Sequence, residues 1–380
     1  MKVCMPSTLK SRLKVSLISL IVIFSLVEAS PAHPHESYSH DGGRQTCQTC
    51  WMKYLKDDVL LSELSIPGTH ETMSFYGGDI LQTQSMALHF QLESGIRVLD
   101  IRCAVVENGF NIYHGNIYQR ANFDDVLKAV VDFLETYPHE TVLMRVKEEN
   151  TSRPERFREN FEKTYWNRDL YKKYMWKGKN PNPTLGEIRG KIVILQDFAR
   201  KQCDPPSPKP DFGICYNSFK IQDEFVLVSN FHLYEKWEWI KAYLALANTG
   251  DRKTKYMNYL SAGRGAFPYF VVSGHSSPAT GAPRLWTGEP DTRRTRNQWI
   301  NFPRLNGNIY YEGTNTLTYG AMRPGGEYTK RVGIIMTDFP GWGLINRIID
   351  LNKDLRKPNF RLECDERNPT RCLPPPKRPL

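Results

Sequence analysis

Short apolar runs alternate with amphipathic stretches through the middle of the chain. Eight of these runs have the length of a strand and are rich in aliphatic and aromatic residues, a composition typical of β-structure. They cover residues 61–66, 97–103, 110–114, 141–147, 191–198, 219–226, 268–272 and 331–339.

Helical periodicity is clearest in the stretch that begins after Asn122. Asn122 suits an N-cap, and apolar residues then recur every three or four positions as far as Tyr137, just before Pro138. Two further helices are expected over residues 234–247 and 341–352. The alternation of strands and helices predicts an α/β fold with a parallel sheet, most simply a closed barrel.

The two ends of the chain differ from this pattern. Residues 1–29 combine basic residues with a 13-residue apolar run and a small-residue cleavage site, which predicts a signal peptide and a secreted, extracellular protein. An uncleaved signal anchor is the alternative, although the run is short for a membrane span of about 20 residues. Residues 30–50 are expected to be a flexible linker, residues 51–358 the single catalytic domain, and residues 359–380 a proline-rich basic tail.

The chain carries a formal charge of +10, and 40% of its residues are hydrophobic. The hydrophobic content is sufficient for a large core and excludes a disordered chain. The positive charge favours an anionic partner such as a phospholipid surface, or it is simply ordinary solubility charge. No nucleic-acid partner is expected, because basic residues do not form a compact stripe with interleaved aromatic residues.

Seven of the eight cysteines lie beyond the predicted signal peptide, and in a secreted chain several of them are expected to form disulfides. Two local pairs are expected, Cys203 with Cys215 and Cys364 with Cys372, because each pair brackets a short loop. The Cys-x-x-Cys at positions 47–50 lacks the βαβ surroundings of a redox motif and the second ligand pair of a zinc site.

Polar residues that can carry chemistry cluster where the predicted strands end. In a parallel barrel these ends lie on one face, the face on which active sites form. The residues are His70 and Glu71 after the first strand, Asp100 and Arg102 in the second, His114 after the third, Lys147 in the fourth and Asp338 in the last.

This set of residues suits phosphoryl transfer. One histidine can accept the proton of an attacking hydroxyl while a second protonates the leaving oxygen. A guanidinium can bind the phosphate, and a carboxylate can orient the base. Taken singly, each residue is as compatible with a structural role; the hypothesis depends on their occurring together.

Four segments, LSELSIPGTHETM, GIRVLDIR, YHG and TVLMRVKEE, resemble the X domain of phosphatidylinositol-specific phospholipases C, most closely the small bacterial type. The resemblance continues through IRGKIVILQDF, FKIQDEF, PYFVVSG and RVGIIMTDF and covers roughly residues 55–355. It implies a distorted (β/α)8 TIM-type barrel. It also implies that the chain cleaves phosphatidylinositol, or glycosyl-phosphatidylinositol anchors, through an inositol cyclic phosphate.

The resemblance also implies roles for individual residues. His70 corresponds to the general base, His114 to the general acid, Arg102 to the phosphate-binding residue and Asp338 to the carboxylate that orients the base. Lys147 and Asp223 match positions that bind inositol, and Phe225 lies where many relatives have a tyrosine against the sugar ring.

Three positions depart from the family pattern or bear on metals. Calcium-dependent relatives have a carboxylate at the position of Arg102, and a guanidinium cannot ligate a cation, so neither metal nor cofactor is expected. Acidic groups nevertheless remain nearby, at Glu71, Asp100, Glu148 and Glu149. Glu71 replaces an aspartate, whose shorter side chain has a different reach. Asp197 replaces an inositol-contacting arginine, which puts a strict preference for phosphatidylinositol in question.

Membrane contact is predicted at Trp286 and at Ile80 with Leu81, because a lipase must reach a head group at the bilayer surface. The alternative for Trp286 is a place in the core. Asn150 begins an N-x-S/T sequon and is a candidate for glycosylation.

Two other functions remain open at this point. One is a barrel phosphodiesterase acting on another head group; such relatives usually hold magnesium with a Glu-x-Asp pair, which the sequence Asp100-Ile101-Arg102 does not provide. The other is a catalytically silent lipid-binding protein, although such relatives usually lack one of the two histidines. No obligate protein partner is inferred.

Overall fold

Eight parallel strands curl into a barrel in the computed structural model, which describes residues 35–107, 109–149, 154–198, 203, 212–276, 278 and 284–358. The strands of the described part are β1 Ile66–Thr69, β2 Val98–Val106, β3 Gly109–His114, β4 Ile117–Asn122, β5 Val142–Glu148, β6 Ile192–Asp197, β7 Ile214–Cys215, β8 Lys220–Gln222, β9 Tyr256–Tyr259, β10 Trp286–Pro290, β11 Arg304–Leu305, β12 Asn308–Tyr310 and β13 Ile334–Thr337.

Helices connect most of these strands. In the described part they are α1 Gly78–Leu81, α2 Leu88–Ser94, α3 Phe123–Thr136, α4 Pro154–Phe161, α5 Asp169–Lys172, α6 Leu185–Ile188, α7 Leu233–Thr249, α8 Pro268–Ser273, α9 Arg293–Gln298, α10 Thr314–Ala321 and α11 Trp342–Asp350. A π-helical turn, Glu162–Trp166, follows α4, and short 3-10 turns include Trp51–Tyr54 and Leu61–Glu63.

The barrel strands neighbour one another in the order in which they occur along the chain. The hydrogen-bonded order is β7-β6-β5-β2-β1-β13-β9-β8, and all these pairs are parallel. Pairing of the last strand, β13, with the first, β1, brings the two ends of the domain together. The path of pairing ends at β7 and β8, so the barrel is open between them in the described part of the chain. The predicted distorted (β/α)8 barrel is thereby confirmed.

Several predicted elements differ in detail. Residues 268–272 form helix α8, because Pro268 occupies the first helical turn, where a missing N–H costs nothing. Residues 61–66 lie mostly before β1. Residues 110–114 belong to β3, which pairs antiparallel with β2 and β4 as a hairpin beside the barrel. The barrel strand β9 was not predicted, and in the predicted strand 219–226 only β8 forms.

Helix α3 confirms the prediction made from Asn122. The Asn122 side chain accepts a hydrogen bond from the Asp125 N–H at 3.0 Å, and the Asp125 carboxylate accepts one from the Asn122 N–H at 2.9 Å. This reciprocal capping box satisfies backbone donors that the first turn leaves without partners. The apolar side of α3, with Val126 and Val130 fully buried, packs on the main core.

The described part of the predicted linker is packed against the barrel instead of being flexible. Ser37 and Tyr38 are buried, the Ser39 N–H donates to the Phe339 carbonyl at 2.9 Å, and the Glu36 carbonyl accepts from the Gly343 N–H at 2.7 Å. The linker prediction was therefore wrong for residues 35–50. It rested on polar composition, which does not reveal that backbone groups pair with the segment after β13.

The predicted disulfide between Cys203 and Cys215 is present, and Cys47 is also disulfide-bonded. Cys103 is a buried thiol whose pKa is raised well above its usual value by burial. The pair Cys364 and Cys372, the predicted signal peptide at residues 1–29, the tail at 359–380 and Asn150 lie outside the described residues. In the described part, no helix is both long enough and apolar enough to cross a bilayer.

Candidate active site

The residues predicted to carry chemistry meet at the carboxyl ends of the barrel strands. Strand register puts Arg102, Lys147 and Asp197 side by side on β2, β5 and β6. Two residues earlier, Asp100 lies beside Arg145 at the next level down. Alternate strand residues share a face, so both levels project into the mouth of the barrel.

His70 directly follows β1, and its two ring nitrogens have different partners. Nδ1 lies 2.8 Å from Asp338 Oδ1, and Nε2 lies 3.0 Å from Arg102 Nη2. Because a guanidinium can only donate, Nε2 is an unprotonated acceptor, and the proton lies between Nδ1 and Asp338. This arrangement leaves a basic nitrogen facing the mouth of the barrel.

Burial determines the charge of this pair. It lowers the pKa of His70 well below its usual value, with help from the Arg102 charge, and it raises the pKa of Asp338 well above its usual value, with help from Glu71. With Nε2 unprotonated, the neutral imidazole carries its one proton on Nδ1 and donates it to the Asp338 carboxylate, so the two groups titrate as a coupled pair. Asp338 Oδ2 has no hydrogen-bond partner among the described residues.

Arg102 is at the centre of the acidic groups. It forms an ion pair with Glu71, and its Nη2 lies 3.2 Å from Asp100 Oδ2. These two carboxylates outweigh burial and raise the pKa of Arg102 above its usual value, so the guanidinium keeps its charge. Its buried Nε has no acceptor among the described residues.

The Glu71 side chain, which replaces the shorter aspartate of the family, extends into the active site. Its Oε1 contacts Arg102 and lies 3.2 Å from His114 Nε2, and its backbone N–H donates to Asp100 Oδ2 at 3.1 Å. The residue adopts φ +42°, an uncommon conformation for a residue with a side chain, and is only 4% exposed. The glutamate side chain, although longer than that of aspartate, therefore contacts both Arg102 and His114.

His114 ends β3, at the turn of the hairpin, and differs from His70 in its partners. Its Nε2 faces Glu71, and its Nδ1 lies 2.8 Å from Ser74 Oγ. Burial, followed by the charge of Arg102, lowers the pKa of His114 to about 4, and burial raises that of Glu71 to about 8. The two groups therefore hold one proton between those pH values.

Buried polar residues that the sequence analysis missed support this arrangement. Arg145 Nη1 donates to Asp100 Oδ1 at 3.2 Å and to the Tyr259 hydroxyl at 3.1 Å, and its Nη2 lies 2.7 Å from Asp197. Tyr259 also hydrogen-bonds Tyr216 at 2.8 Å. One sequence feature could have indicated the role of Arg145: it is a charged residue within an apolar strand, two positions before Lys147. These contacts hold Asp100 ionised, with its pKa below the usual range because of Arg145 and Arg102 despite burial.

A buried lysine near the site was also not identified from the sequence. Lys236 on α7 is only 1% exposed, and its Nζ donates to Gln222 Oε1 at 3.0 Å and to the Glu224 carbonyl at 2.8 Å. Burial lowers its pKa to about 7. Its two hydrogen bonds anchor the turn that follows β8, on which Asp223 lies.

The predicted inositol-binding residues surround the mouth. Lys147 is half-buried, with Nζ 3.7 Å from Glu149 Oε2, whereas Asp223 and Phe225 are exposed after β8. The Arg264 guanidinium lies 5.2 Å from the centre of the Phe225 ring. Asp197, where relatives place an arginine, binds the guanidinium of Arg145, which lies one level below it in the barrel.

The residues predicted to touch membranes are on the surface. Trp286 begins β10 and is 55% exposed, which is inconsistent with its alternative place in the core; Ile80 is 67% exposed, and Leu81 is half-buried. Among the described residues, no group of three or more histidine, cysteine or acidic side chains is arranged to hold a metal ion. The acids Glu71 and Asp100 are engaged by arginines instead.

Comparison with known proteins agrees with this geometry. Residues 60–197, which include both histidines and Arg102, match the family model "Phosphatidylinositol-specific phospholipase C, X domain". This segment of the chain is therefore similar to the X domain of phosphatidylinositol-specific phospholipases C. Asp338 and the residues after Asp197 lie outside the matched segment, so their place in the site depends on the barrel structure.

Individual relatives of this phospholipase C family extend the match. A 1-phosphatidylinositol phosphodiesterase of Listeria monocytogenes is 40% identical over 165 residues, which are 40% of this chain and half the length of that protein. One of Staphylococcus aureus is 28% identical over 293 residues, covering 71% of this chain and 86% of the relative. The solved phosphatidylinositol-specific phospholipase C from Listeria monocytogenes superposes with TM-score 0.57 at 28% identity, over 80% of this chain and 98% of that one.

Proposed function

We propose that the protein is a phosphodiesterase that cleaves phosphatidylinositol, with His70 as general base and His114 as general acid. The observation that carries the proposal is the unlike environment of the two histidines around one guanidinium. His70 presents an unprotonated Nε2, whereas His114 faces a protonated carboxyl group or carries that proton itself. Acid–base catalysis of phosphoryl transfer needs this asymmetry.

In the first step, the inositol 2-hydroxyl loses its proton to Nε2 of His70 as its oxygen bonds to phosphorus. The Asp338 carboxylate stabilises the imidazolium that forms, because the two groups are 2.8 Å apart in a buried setting. The P–O bond to diacylglycerol breaks, and His114 donates the proton that the departing oxygen requires. The products are diacylglycerol and an inositol cyclic phosphate.

Arg102 binds the phosphate during this step. Its Nη2 lies 3.0 Å from the basic nitrogen of His70, which places the guanidinium beside the reacting group. The fixed charge offsets negative charge that develops on the phosphate oxygens. The same guanidinium occupies the place of a metal ligand in calcium-dependent relatives, so we propose a reaction that needs no metal or cofactor.

Recognition of the inositol is proposed for Lys147, Asp223 and Phe225. An ammonium and a carboxylate suit the ring hydroxyls, and an exposed phenyl face suits the apolar side of the ring. The names of the listerial and staphylococcal relatives support this substrate. Whether free phosphatidylinositol or a glycosyl-phosphatidylinositol anchor is preferred depends on space beyond the inositol ring.

A product analysis tests the proposed function. The purified protein is incubated with phosphatidylinositol, phosphatidylcholine or sphingomyelin, with and without a chelator, and the products are identified by phosphorus NMR. We expect inositol cyclic phosphate from phosphatidylinositol alone, at a rate unchanged by the chelator. A rate abolished by the chelator, cleavage of another head group, or binding without turnover would favour one of the two alternatives instead.

The shared proton of Glu71 and His114 predicts a pH dependence. Since the pKa of Glu71 is raised to about 8 and that of His114 is lowered to about 4, the pair retains a proton through neutral pH and loses it above about pH 8. We expect kcat/KM on a soluble short-chain substrate to fall as the pH rises through 8. In Glu71→Gln the fall should begin at lower pH, because the proton then resides on His114 alone. Coincident profiles for the two proteins would refute the shared proton.

Trp286 provides a prediction for the membrane surface. Trp286→Ala should weaken binding to phosphatidylinositol vesicles and lower activity on them, while hydrolysis of a soluble short-chain substrate stays near normal, because an interfacial tryptophan contributes at the bilayer surface alone. Trp239→Ala is the matched control, since Trp239 is 50% exposed on α7. Equal losses on both substrates, or equal effects of the two substitutions, would contradict the membrane role.

We propose that the protein is secreted, on the evidence of the basic and apolar pattern of residues 1–29, and that it acts at a lipid surface from outside the cell. Mass spectrometry of the mature N-terminus from a secreting host would locate the cleavage site.

A further inference from the structure

Ser74 connects the general acid to a surface loop. It is 2% exposed, and its hydroxyl lies 2.8 Å from His114 Nδ1 and 2.8 Å from the Leu81 carbonyl oxygen. Its own carbonyl accepts from the N–H groups of Thr83 and Gln84, both at 3.1 Å. Ser74 therefore closes the base of the loop that contains α1 and contacts His114 from that position.

The direction of the hydrogen bonds follows from the chemistry of the groups. A carbonyl can only accept, so the single hydroxyl proton of Ser74 goes to Leu81, and Ser74 accepts the Nδ1–H of His114. This leaves Nε2, the atom facing Glu71, as the site that gains and loses a proton. His70 has a carboxylate at the equivalent position, which favours the protonated ring, whereas a neutral hydroxyl suits a ring that must release its proton.

The loop held by Ser74 is exposed and apolar at its tip. None of the α1 side chains is buried, and the apolar rim consists of Tyr76, Ile80, Ile117 and Tyr118, which are 40–67% exposed. Ile117 and Tyr118 lie on β4, directly after the turn that carries His114. The Gln119 side chain joins the two parts by accepting from the Tyr76 N–H at 2.9 Å and donating to its carbonyl at 3.1 Å. The rim and the general acid thus belong to one hydrogen-bonded unit.

We propose that Ser74 is a positioning residue that couples the apolar rim to His114, so that docking of the rim on a lipid surface fixes the proton-donating geometry of the general acid. This inference rests on the proposed function and adds to it a route by which the membrane activates the site. Docking restrains α1, which restrains the Leu81 carbonyl, and the Ser74 hydroxyl transmits that restraint to Nδ1 of His114. Amphipathic side chains such as those of Tyr76 and Tyr118 are suited to a bilayer surface.

Other charged groups facing His114 also influence its protonation. They come from the loop after β1, from β2 and from β5: Glu71, Asp100, Arg102 and Lys147. Glu71 belongs to the same loop as Ser74 and Tyr76, and the other three lie on β2 and β5. None of the four bonds to Nδ1, which contacts Ser74 instead. A change at Ser74 therefore removes the hydroxyl that bridges the Leu81 carbonyl and Nδ1 of His114, while these charges remain.

Turnover of Ser74→Ala tests the positioning role. We expect kcat on the soluble substrate to fall about tenfold, the effect of losing one neutral hydrogen bond, with the alkaline limb of the pH profile shifted to lower pH. Ser74→Thr retains the hydroxyl and should restore both. The control is Ser62→Ala: Ser62 is equally buried, donates to the Arg252 carbonyl and accepts from Asn182, but lies before β1 at the opposite end of the barrel. An unshifted profile in Ser74→Ala would overturn the role.

A double-mutant cycle tests the coupling. In the wild type, Ile80→Ala should lower kcat at saturating vesicles as well as raise the apparent KM. In the Ser74→Ala background it should raise KM alone, because the connection is already lost. If Ile80→Ala changes only KM in both backgrounds, Ile80 is merely an anchor and the coupling is refuted.

Histidine NMR gives a readout that does not depend on turnover. In the wild type, addition of phosphatidylcholine bicelles should raise the pH midpoint of the His114 imidazole signal, which is assigned by its absence in His114→Gln. In Ser74→Ala the bicelles should leave that midpoint unchanged, and the exposed His89 on α2 serves as the internal control in both proteins. The same bicelle effect with and without Ser74, or none in the wild type, would overturn the coupling. Failure to cleave phosphatidylinositol would instead overturn the proposed function.

Discussion

His70→Ala and His114→Ala should each remove most of the activity, by about 10²–10⁴-fold in kcat, while leaving the barrel folded. Both side chains lie at strand ends and are partly exposed at the mouth, so truncation leaves the core intact. The losses should not multiply in the double variant, because the two histidines serve one transition state. The measurement is kcat on a soluble short-chain phosphatidylinositol, with circular dichroism to verify the fold.

The two variants can also be told apart. A substrate whose leaving group is a good one, such as an inositol nitrophenyl phosphate, needs little protonation, so it should largely rescue His114→Ala but leave His70→Ala inactive. His89→Ala, an exposed histidine on α2, is the control and should retain wild-type activity. Near-normal turnover in either variant, or rescue of the wrong one, would show that the acid and base roles are misassigned.

Arg102→Lys should lower kcat by roughly 10²–10³-fold, the range seen when a preorganised donor to a developing oxyanion is lost. A lysine keeps the charge but loses the planar fork that reaches Glu71, Asp100 and His70 together. We expect the change in stability to be small beside the change in rate, because Arg145 continues to pair with Asp100.

The control for this substitution is Arg189→Lys. Arg189 forks to Asp57 and to backbone carbonyls of residues 52, 55 and 139, away from the mouth of the barrel. Loss of kcat in Arg102→Lys with an unchanged melting temperature would support a role in binding the phosphate. Full activity of this variant without added metal would mean that Arg102 is only a structural partner of Asp100.

The sequence was sufficient to predict the barrel because much of the information is local. Apolar runs of strand length, a capping box at Asn122 and polar residues at strand ends are all short-range signals. Because these signals are local, they also produced errors in the predicted secondary structure. The segment 268–272 has the composition of a strand, yet Pro268 begins a helix there, and β9 was missed between α7 and α8.

Only part of the active site could be predicted, because only some of its residues lie in segments with a recognisable local pattern. His70, Arg102 and His114 belong to segments with a recognisable pattern of residues. Ser74, Arg145 and Lys236 became evident only from their contacts, because a serine in a loop or a lysine in a helix is most often solvated. Burial, which shifts the pKa values of Glu71 and His114 to about 8 and 4, also depends on neighbours that the sequence does not specify locally.

By itself the sequence determined the alternation of strands and helices, the similarity to the phospholipase C X domain and the residue types available for acid–base chemistry. Only the tertiary structure decided which partner each histidine has. His70 and Asp338 are 268 residues apart in the chain but 2.8 Å apart in space, because β13 pairs with β1 to join the first and last strands of the barrel. Ser74 reaches His114 because the loop after β1 folds against the β3–β4 hairpin. Such contacts follow from packing between distant segments, which no local pattern of hydrophobic and polar residues encodes.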